Sequence, residues 1–413
     1  MQLIYRIFLL SFVTVWMAGC MKHETSYTPC SSDDIHVAAL LALTGSASST
    51  GQTSQASLEI ARQDMLKYME NMNISRKLTL EIIDSKTDTA EALKQLKNIY
   101  NKGIRLVIGP YSSAELAAVK NFADSHDMLL VSPASVAVSL AIPGDNVFRF
   151  SSPDIIQGEA MAKMLEVDHI KAIVPLVRND IWGNDLIAAI SNGFGKSGGI
   201  IHDPVFYPVE TTDFQPYLTE LDANAAFEIG RFSAGEVAVC MLSFAEGTLL
   251  LSKAESFNSL DLVPWYGNSG FAQTASAITD LAAARFASTH GLPCPSYGLD
   301  EVAKVKWQPL VAKIKEKIGR EPDVYAITAY DAFMVSVSTL IKTGPDPSMV
   351  FLKNVFLNEA DNYFGASGPV YLDVNGDRAT GNYDFWSVIH ETSGYSWKRT
   401  ACYNSATGIL TKL

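Results

Sequence analysis

The 413-residue sequence is short of charge, and what it has is of the wrong sign for a polyanion: only 18% of residues are charged, with 32 basic against 44 acidic and a net charge of -12. No cationic surface is available to release counterions from a nucleic acid, so nucleic acid is excluded as a partner. The seven histidines are scattered, with no HExxH pair and none beside a cysteine at zinc spacing, so neither a metal site nor a cofactor is expected. A nucleophile elbow is missing, because Gly267-Asn268-Ser269-Gly270 runs into Phe271 where glycine is needed. A phosphate loop is missing too: Gly195-Lys196-Ser197 has Ile190 in place of the glycine five residues earlier. These absences point away from an enzyme. With 27 Gly and 17 Pro and no low-complexity tract, collagen-like and linker architectures are also out.

What the sequence does have is 48% hydrophobic residues, which at roughly 100 to 200 residues per domain suits two or three folded domains. Its beginning has the organisation of an export signal: Arg6, an apolar run from Ile7 to Val15, then Ala18-Gly19 before Cys20. Residues 1–19 read as a lipoprotein-type signal, with Cys20 as the lipidated first residue; a plain secretory signal with no role for Cys20 is the alternative. After cleavage no stretch reaches the ~18 apolar residues that span a bilayer. The expectation is a folded body on the outer face of a bacterial membrane, periplasmic or at the cell surface, held by lipid through a polar tether over residues 20–34. Cys240, inside the apolar run Val237 to Leu242, reads as a buried thiol. Cys30, Cys294 and Cys402 leave room for one disulfide whose pairing stays open.

Strand-like and helix-like runs alternate for most of the length, the signature of βαβ units and parallel sheets. Strands are expected at His36–Leu43, Leu78–Asp84, Arg105–Ile108 and Met128–Val131, with helices between them. The helix after Asp88 opens on a capping box with Glu91, and the one after Ser112 on a capping box with Glu115. A second layer starts at Ser152-Pro153 and runs through strands at Ala172–Val177, Val237–Leu242 and Leu262–Tyr266. Helices follow at Lys304–Ile318 and Ala326–Ile341, and the chain ends in short strand-like pieces. Two α/β lobes result, and ligands of such sheets bind outside the carboxyl ends of the strands.

Several turns then occur in a telling order: Leu43-Thr44-Gly45, Ile108-Gly109-Pro110-Tyr111-Ser112-Ser113, Ser132-Pro133-Ala134-Ser135 and Asn179-Asp180-Ile181-Trp182-Gly183. Pro322-Asp323, Ala329-Tyr330-Asp331-Ala332, Phe364-Gly365-Ala366-Ser367-Gly368 and Asp373-Val374-Asn375-Gly376-Asp377-Arg378 complete the series. Together they resemble the type I periplasmic-binding proteins of the leucine/isoleucine/valine-binding class. The resemblance implies two doubly wound, Rossmann-like α/β lobes joined by a multi-strand hinge, with residues 35–150 plus about 283–364 in one lobe and 151–282 plus about 365–413 in the other. It implies a monomeric receptor that closes on a small-molecule ligand, an amino acid or related carboxylate, and delivers it to the permease of an ABC transporter. A sensor subunit handing its closed state to a signalling partner is the alternative, and a secreted α/β hydrolase a more distant one.

The implied ligand-binding residues are Ser112, Ser113, Ala134, Ser135, Trp182, Phe244 and Ser269. Ser112 and Ser113 open a helix directly after a strand, an arrangement suited to an anion. Trp182 and Phe244 supply aromatic walls. Two departures from the family bear on the ligand: Val136 stands where many relatives have threonine, and Ser269 where binders of amino acids often have a carboxylate facing the ammonium group. Either the ligand lacks an ammonium group or another acid such as Glu246 replaces the missing one. Asp373 to Arg378 reads as a tight turn rather than a calcium loop, since its glycine is fourth and not sixth.

Overall fold

The computed structural model describes residues 34–413, so the signal, Cys20, Cys30 and the tether before Asp34 lie outside the described residues. The first sheet takes β1 (Ile35–Leu41), β2 (Leu78–Asp84), β3 (Leu106–Ile108), β4 (Leu129–Ser132) and β5 (Val147–Arg149), interleaved with α1 (Ser48–Asn71), α2 (Thr89–Asn101) and α3 (Ser113–Ser125). Its order is β2-β1-β3-β4-β5, all parallel. The central strands are continuous apolar runs because helices cover both faces. α1 begins at Ser48, within a Ser/Thr/Gly-rich stretch of low helix propensity.

The second lobe continues through α4 (Asp154–Val167), β6 (Ala172–Arg178), α5 (Ile181–Lys196), β7 (Ile200–Ile201), β8 (Val205–Tyr207) and α6 (Gln215–Ile229). It goes on through β9 (Val237–Leu242), α7 (Gly247–Ala254), β10 (Trp265–Tyr266), α8 (Ser276–Thr279), α9 (Leu281–His290) and β11 (Cys294–Gly298). The sheet order is β10-β9-β6-β7, with β8 also pairing β6 in parallel. Pro175 sits inside β6 without breaking it, because it falls where the pairing switches from β7, opposite Ala172 and Ile173, to β8, opposite Leu176 to Arg178. A proline without an N–H is tolerated at such a gap. At the start of α4 the cap is Pro153 itself rather than Ser152.

The chain returns to the first lobe with α10 (Lys304–Ile318), α11 (Val324–Thr343), α12 (Met349–Asp361) and the small pair β12 (Phe364–Gly365) and β13 (Gly368–Pro369). α11 is apolar enough along its 20 residues to cross a membrane by length and composition, but 72% of its most apolar window is buried and it forms the core against α1. The last elements, β14 (Asn382–Glu391), β15 (Gly394–Asn404) and β16 (Ile409–Lys412), join β11 in an antiparallel sheet of order β11-β14-β15-β16. They are longer than the short pieces expected. A boundary at 283 would give α9 and β11 to the first lobe, whereas Ala283, Phe286, Leu292 and Cys294 belong to the second lobe's core. Cys294 is fully buried and unbonded, and Cys402 is unbonded as well, so the two form no disulfide with each other.

Three segments thus pass between lobes: after Phe150, after Gly298, and before Asn382. They meet at Gly381, where an added Cβ would lie 2.5 Å from the Tyr297 ring and 2.7 Å from Ser152 Cβ. A glycine lets the three strands touch, which is the geometry of a hinge carried by a few residues.

Candidate functional site

Apart from the start of α11, the elements that point at the space between the lobes do so from the carboxyl ends of parallel strands. From the first lobe, β3 leads into Tyr111, Ser112 and Ser113 at the start of α3, and β4 leads into the loop carrying Ala134 and Ser135. From the second, β6 leads into Trp182 in the first turn of α5, β9 into Phe244, and β10 into Ser269 and Gly270. α5 starts tight against its strand: Asp180 caps it by accepting from Gly183 N at 2.9 Å, and a Cβ on Gly183 would fall 2.0 Å from the Arg178 carbonyl oxygen. Glycine at 183 is what allows the neighbouring Trp182 ring to face the cleft.

Nine residues line the resulting pocket: Tyr111, Ser112, Ser113, Ala134, Trp182, Phe244, Ser269, Gly270 and Tyr325. Six of them were expected from the sequence. Ser135 stands one bond behind, its hydroxyl 2.9 Å from Ser113 Oγ. Tyr111, Gly270 and Tyr325 were missed, although each lies inside or beside a turn already singled out. The pocket is closed: rings of Trp182 and Phe244 lie 4.7 Å apart, and Tyr111 meets Phe244 edge-on at 6.3 Å across the lobes. About 10 Å³ is left open, room for one water. Ala245 N donates to Ser46 O at 3.2 Å and Ser139 N to Asp185 Oδ2 at 2.8 Å, so the lobes also touch through one backbone pair and one backbone-to-carboxylate bond.

Ser113 has a heavier structural role than a simple ligand contact. Its Oγ accepts from Val136 N at 3.3 Å and Ala137 N at 3.2 Å, and therefore shapes the loop after β4. Ser112 completes the capping box expected for it, accepting from Glu115 N at 3.2 Å while its own N–H donates to Glu115 Oε2 at 3.1 Å. Glu246 does not line the pocket, and one of its two carboxylate oxygens is already taken. Its Oε1 accepts from Arg178 Nη1 at 2.7 Å, Tyr207 OH at 3.1 Å and Phe244 N at 3.1 Å. Arg178 is buried, pairs with Asp180 at 2.7 Å as well, and lies 4.6 Å from the centre of the Phe244 ring. This cation with its two acids braces the aromatic wall from behind.

No lining residue carries a charge, and three buried acids near the walls, Glu115, Asp154 and Asp323, are held toward their neutral forms. Burial raises the carboxyls of Glu115 and Asp323 above the usual range. Asp154, fully buried, is pushed up to about 8 by desolvation, against the opposing hydrogen bond from Gln157 and charge of Arg149. Gln157 links Asp154 to the pocket, since its Oε1 accepts from Ser269 N at 2.9 Å. A carboxyl whose folded value is raised stabilises the fold fully at low pH and loses that contribution as pH rises through the folded value. Between about pH 4 and 8, stability should therefore fall, by at most about 1.4 kcal/mol per pH unit from this group. Chemical denaturation from pH 4.5 to 8 should show a shallower fall for Asp154→Asn, which keeps the acceptor for Gln157. An unchanged slope would exclude Asp154 as its source.

Among the described residues no group of three or more metal-ligating side chains occurs. Glycine-rich turn, helix terminus and aromatic walls can enclose a small molecule.

Comparison with known proteins agrees with this geometry. An uncharacterised protein of Methanocaldococcus jannaschii is 26% identical over 420 aligned positions, spanning 95% of this chain and 96% of its own length. The Leu/Ile/Val/Thr-binding protein of Salmonella typhimurium is 27% identical over 184 residues, 44% of this chain and 50% of that protein. The leucine-binding protein LivK of Thermotoga maritima superposes with a TM-score of 0.72 at 20% identity, over 90% of this chain and 99% of that one. A solute-binding protein of Rhodopseudomonas palustris, solved in complex with benzoate, gives 0.68 at 17% identity over 89% and 96%. The family model for periplasmic binding proteins matches residues 34–389. With that match covering most of its length, and with two parallel α/β lobes facing one another across a cleft, the chain belongs to the type I periplasmic binding protein family.

Proposed function

We propose that the protein is an extracytoplasmic receptor that admits a small carboxylate-bearing molecule between its lobes, closes on it and presents it to an ABC transporter permease. The observation that carries this reading is the uncharged pocket built from strand ends of both lobes, with a helix N-terminus on one side and aromatic rings on the other. A ligand carboxylate would sit at the start of α3, near Ser112 and Ser113, where backbone N–H groups and the helix dipole favour negative charge. Its body would lie between Trp182 and Phe244, whose rings must part to admit it. Because no acid lines the pocket and Glu246 is committed to Arg178, the ligand has no ammonium group; a buried ammonium without a counterion would cost several kcal/mol. A fold neighbour solved with benzoate, a carboxylate without an ammonium group, supports this reading. Lipid at Cys20 would keep the receptor beside its transporter, and fatty-acid labelling equal in wild type and Cys20→Ala would refute that anchor.

A thermal-shift series of aliphatic and aromatic carboxylates beside their amino-acid counterparts tests the ligand class. The carboxylates should stabilise the fold, by about 2.7 kcal/mol at a hundredfold excess over Kd. Stabilisation by amino acids alone would overturn the absence of ammonium, and no stabilisation by any of them would overturn the receptor reading.

A further inference from the structure

Asp154 opens α4, just after the first passage between the lobes, and is wholly shut off from water. Both lobes close it in. Its own N–H donates to Val136 O of the first lobe at 3.0 Å, while its Oδ1 accepts from Gln157 Nε2 of the second. Among the described residues its Oδ2 has no hydrogen-bond partner. A carboxylate with a bare oxygen in a dry site is costly when ionised and far less so when neutral. The carboxyl is also tied to the cleft: Gln157 Oε1 accepts from Ser269 N at 2.9 Å, and Ser269 lines the pocket.

The groups around Asp154 give it no cation of its own. Arg149, from β5, acts on it only at a distance, its guanidinium being committed to Asp377 and to Ala137 O. Asp185, from α5, is a second acid and opposes ionisation. Tyr325, at the start of α11, and Tyr383 of β14 lie within electrostatic reach, and Tyr383 OH donates to Ser152 O at 3.1 Å. β11 carries no charged residue, and Lys412 of β16 pairs with Asp168 at the far end of α4.

We propose that closure of the lobes is proton-linked: with the lobes apart Asp154 is hydrated and ionised, and as Val136, Arg149 and Tyr325 come over it the carboxyl takes one proton from solvent onto Oδ2. Such linkage rests on the closing receptor proposed above, but on no one class of ligand. A group that is charged in the open state and neutral in the closed one favours closure fully below its open-state value, about 4 for a hydrated aspartate. That advantage is lost as pH rises through the closed-state value.

Small-angle scattering of the ligand-free protein tests it. The wild-type radius of gyration should grow between about pH 5.5 and about pH 9, whereas Asp154→Asn and Asp154→Ser, shown folded by circular dichroism, should stay compact throughout. Calorimetry with benzoate in buffers of different ionisation enthalpy reads the proton itself. Uptake should approach one proton per benzoate near about pH 6.5, and Kd should rise by up to about tenfold per pH unit from there to about pH 8, while Asp154→Asn takes up none and holds its Kd. A wild-type radius that does not change with pH, benzoate binding without proton uptake, or a pH response that persists in both variants would each overturn the proposal. Failure of benzoate to bind would count against the ligand class alone, because the scattering needs no ligand.

Discussion

Asp377→Ala should lower the unfolding free energy by about 3–5 kcal/mol, the usual consequence of leaving one member of a buried ion pair without its partner. Arg149 and Asp377 are 1% and 3% exposed, and the guanidinium meets the carboxylate with both Nε and Nη2, a bidentate fork. The pair joins residues 228 positions apart, where the Asp373 to Arg378 turn lies against the edge strand β5 through the bridge Arg149↔Asp377. Arg149 Nη1 also donates to Ala137 O at 2.6 Å, so the same side chain steadies the loop after β4. Burial pulls the Asp377 carboxyl upward while Arg149 pulls it down; removing the acid leaves the guanidinium in a dry site with one remaining acceptor. Removing both charges at once should be far milder. In Arg149→Met with Asp377→Leu, guanidinium chloride midpoints should recover most of the single-mutant loss, because apolar groups of similar volume replace a buried pair at little cost. A double variant as unstable as Asp377→Ala would mean that the turn itself, not the charge, was lost.

The parts of the fold that could be read from the sequence are those whose signal is local. β9 throughout, β1 after His36 and β6 before Arg178 are apolar runs because parallel strands are buried on both faces. The helices after Asp88 and Ser112 announce themselves by their caps: Ser112 and Glu115 form the full box, whereas at Asp88 the side chain accepts from Glu91 N without the reciprocal bond. What escaped depends on distant partners. α6 buries Leu218, Leu221 and Ala225 at helical spacing, but the next position on that face is Glu228. That acid is buried only because Arg231 and His202 meet it at 2.9 and 3.0 Å. β11 reads Cys-Pro-Ser-Tyr-Gly, no strand by propensity, and exists through its antiparallel register with β14.

The cleft divides the same way. Turns at strand ends carry Ser112, Ser113, Ala134, Trp182 and Ser269, and such turns are visible in the chain. The role of Glu246 was not, because Arg178, 68 residues away at the end of β6, claims it. Tyr111 and Tyr325 meet at 5.8 Å only once the chain that leads into α11 has come up against the turn after β3. Aromatic residues within a turn give no sign of which side they face until both lobes are in place.

Ser113→Ala and Trp182→Ala should each weaken carboxylate binding by roughly ten- to a hundredfold, yet for different reasons that a neutral ligand separates. Ser113 offers a hydroxyl at the N-terminus of α3, where a donor to a charged acceptor is worth roughly 1.5–3 kcal/mol. Its removal should therefore penalise a carboxylate more than the matching amide and narrow the gap between them. The same substitution strips an acceptor from Val136 N and Ala137 N, so it should also cost the unliganded protein about 1–3 kcal/mol of stability, as buried amides do when left unpaired. That structural cost falls on both ligands alike and cannot by itself alter the gap. Trp182, 3% exposed and packed at 4.7 Å on Phe244, contributes apolar contact that is blind to charge. Its truncation should weaken acid and amide equally. Calorimetric titration of both ligands against both variants thus yields four numbers with a definite pattern. If Ser113→Ala leaves the acid-to-amide ratio at its wild-type value, the serine only holds the loop after β4, and the negative group of the ligand is bound elsewhere in the cleft.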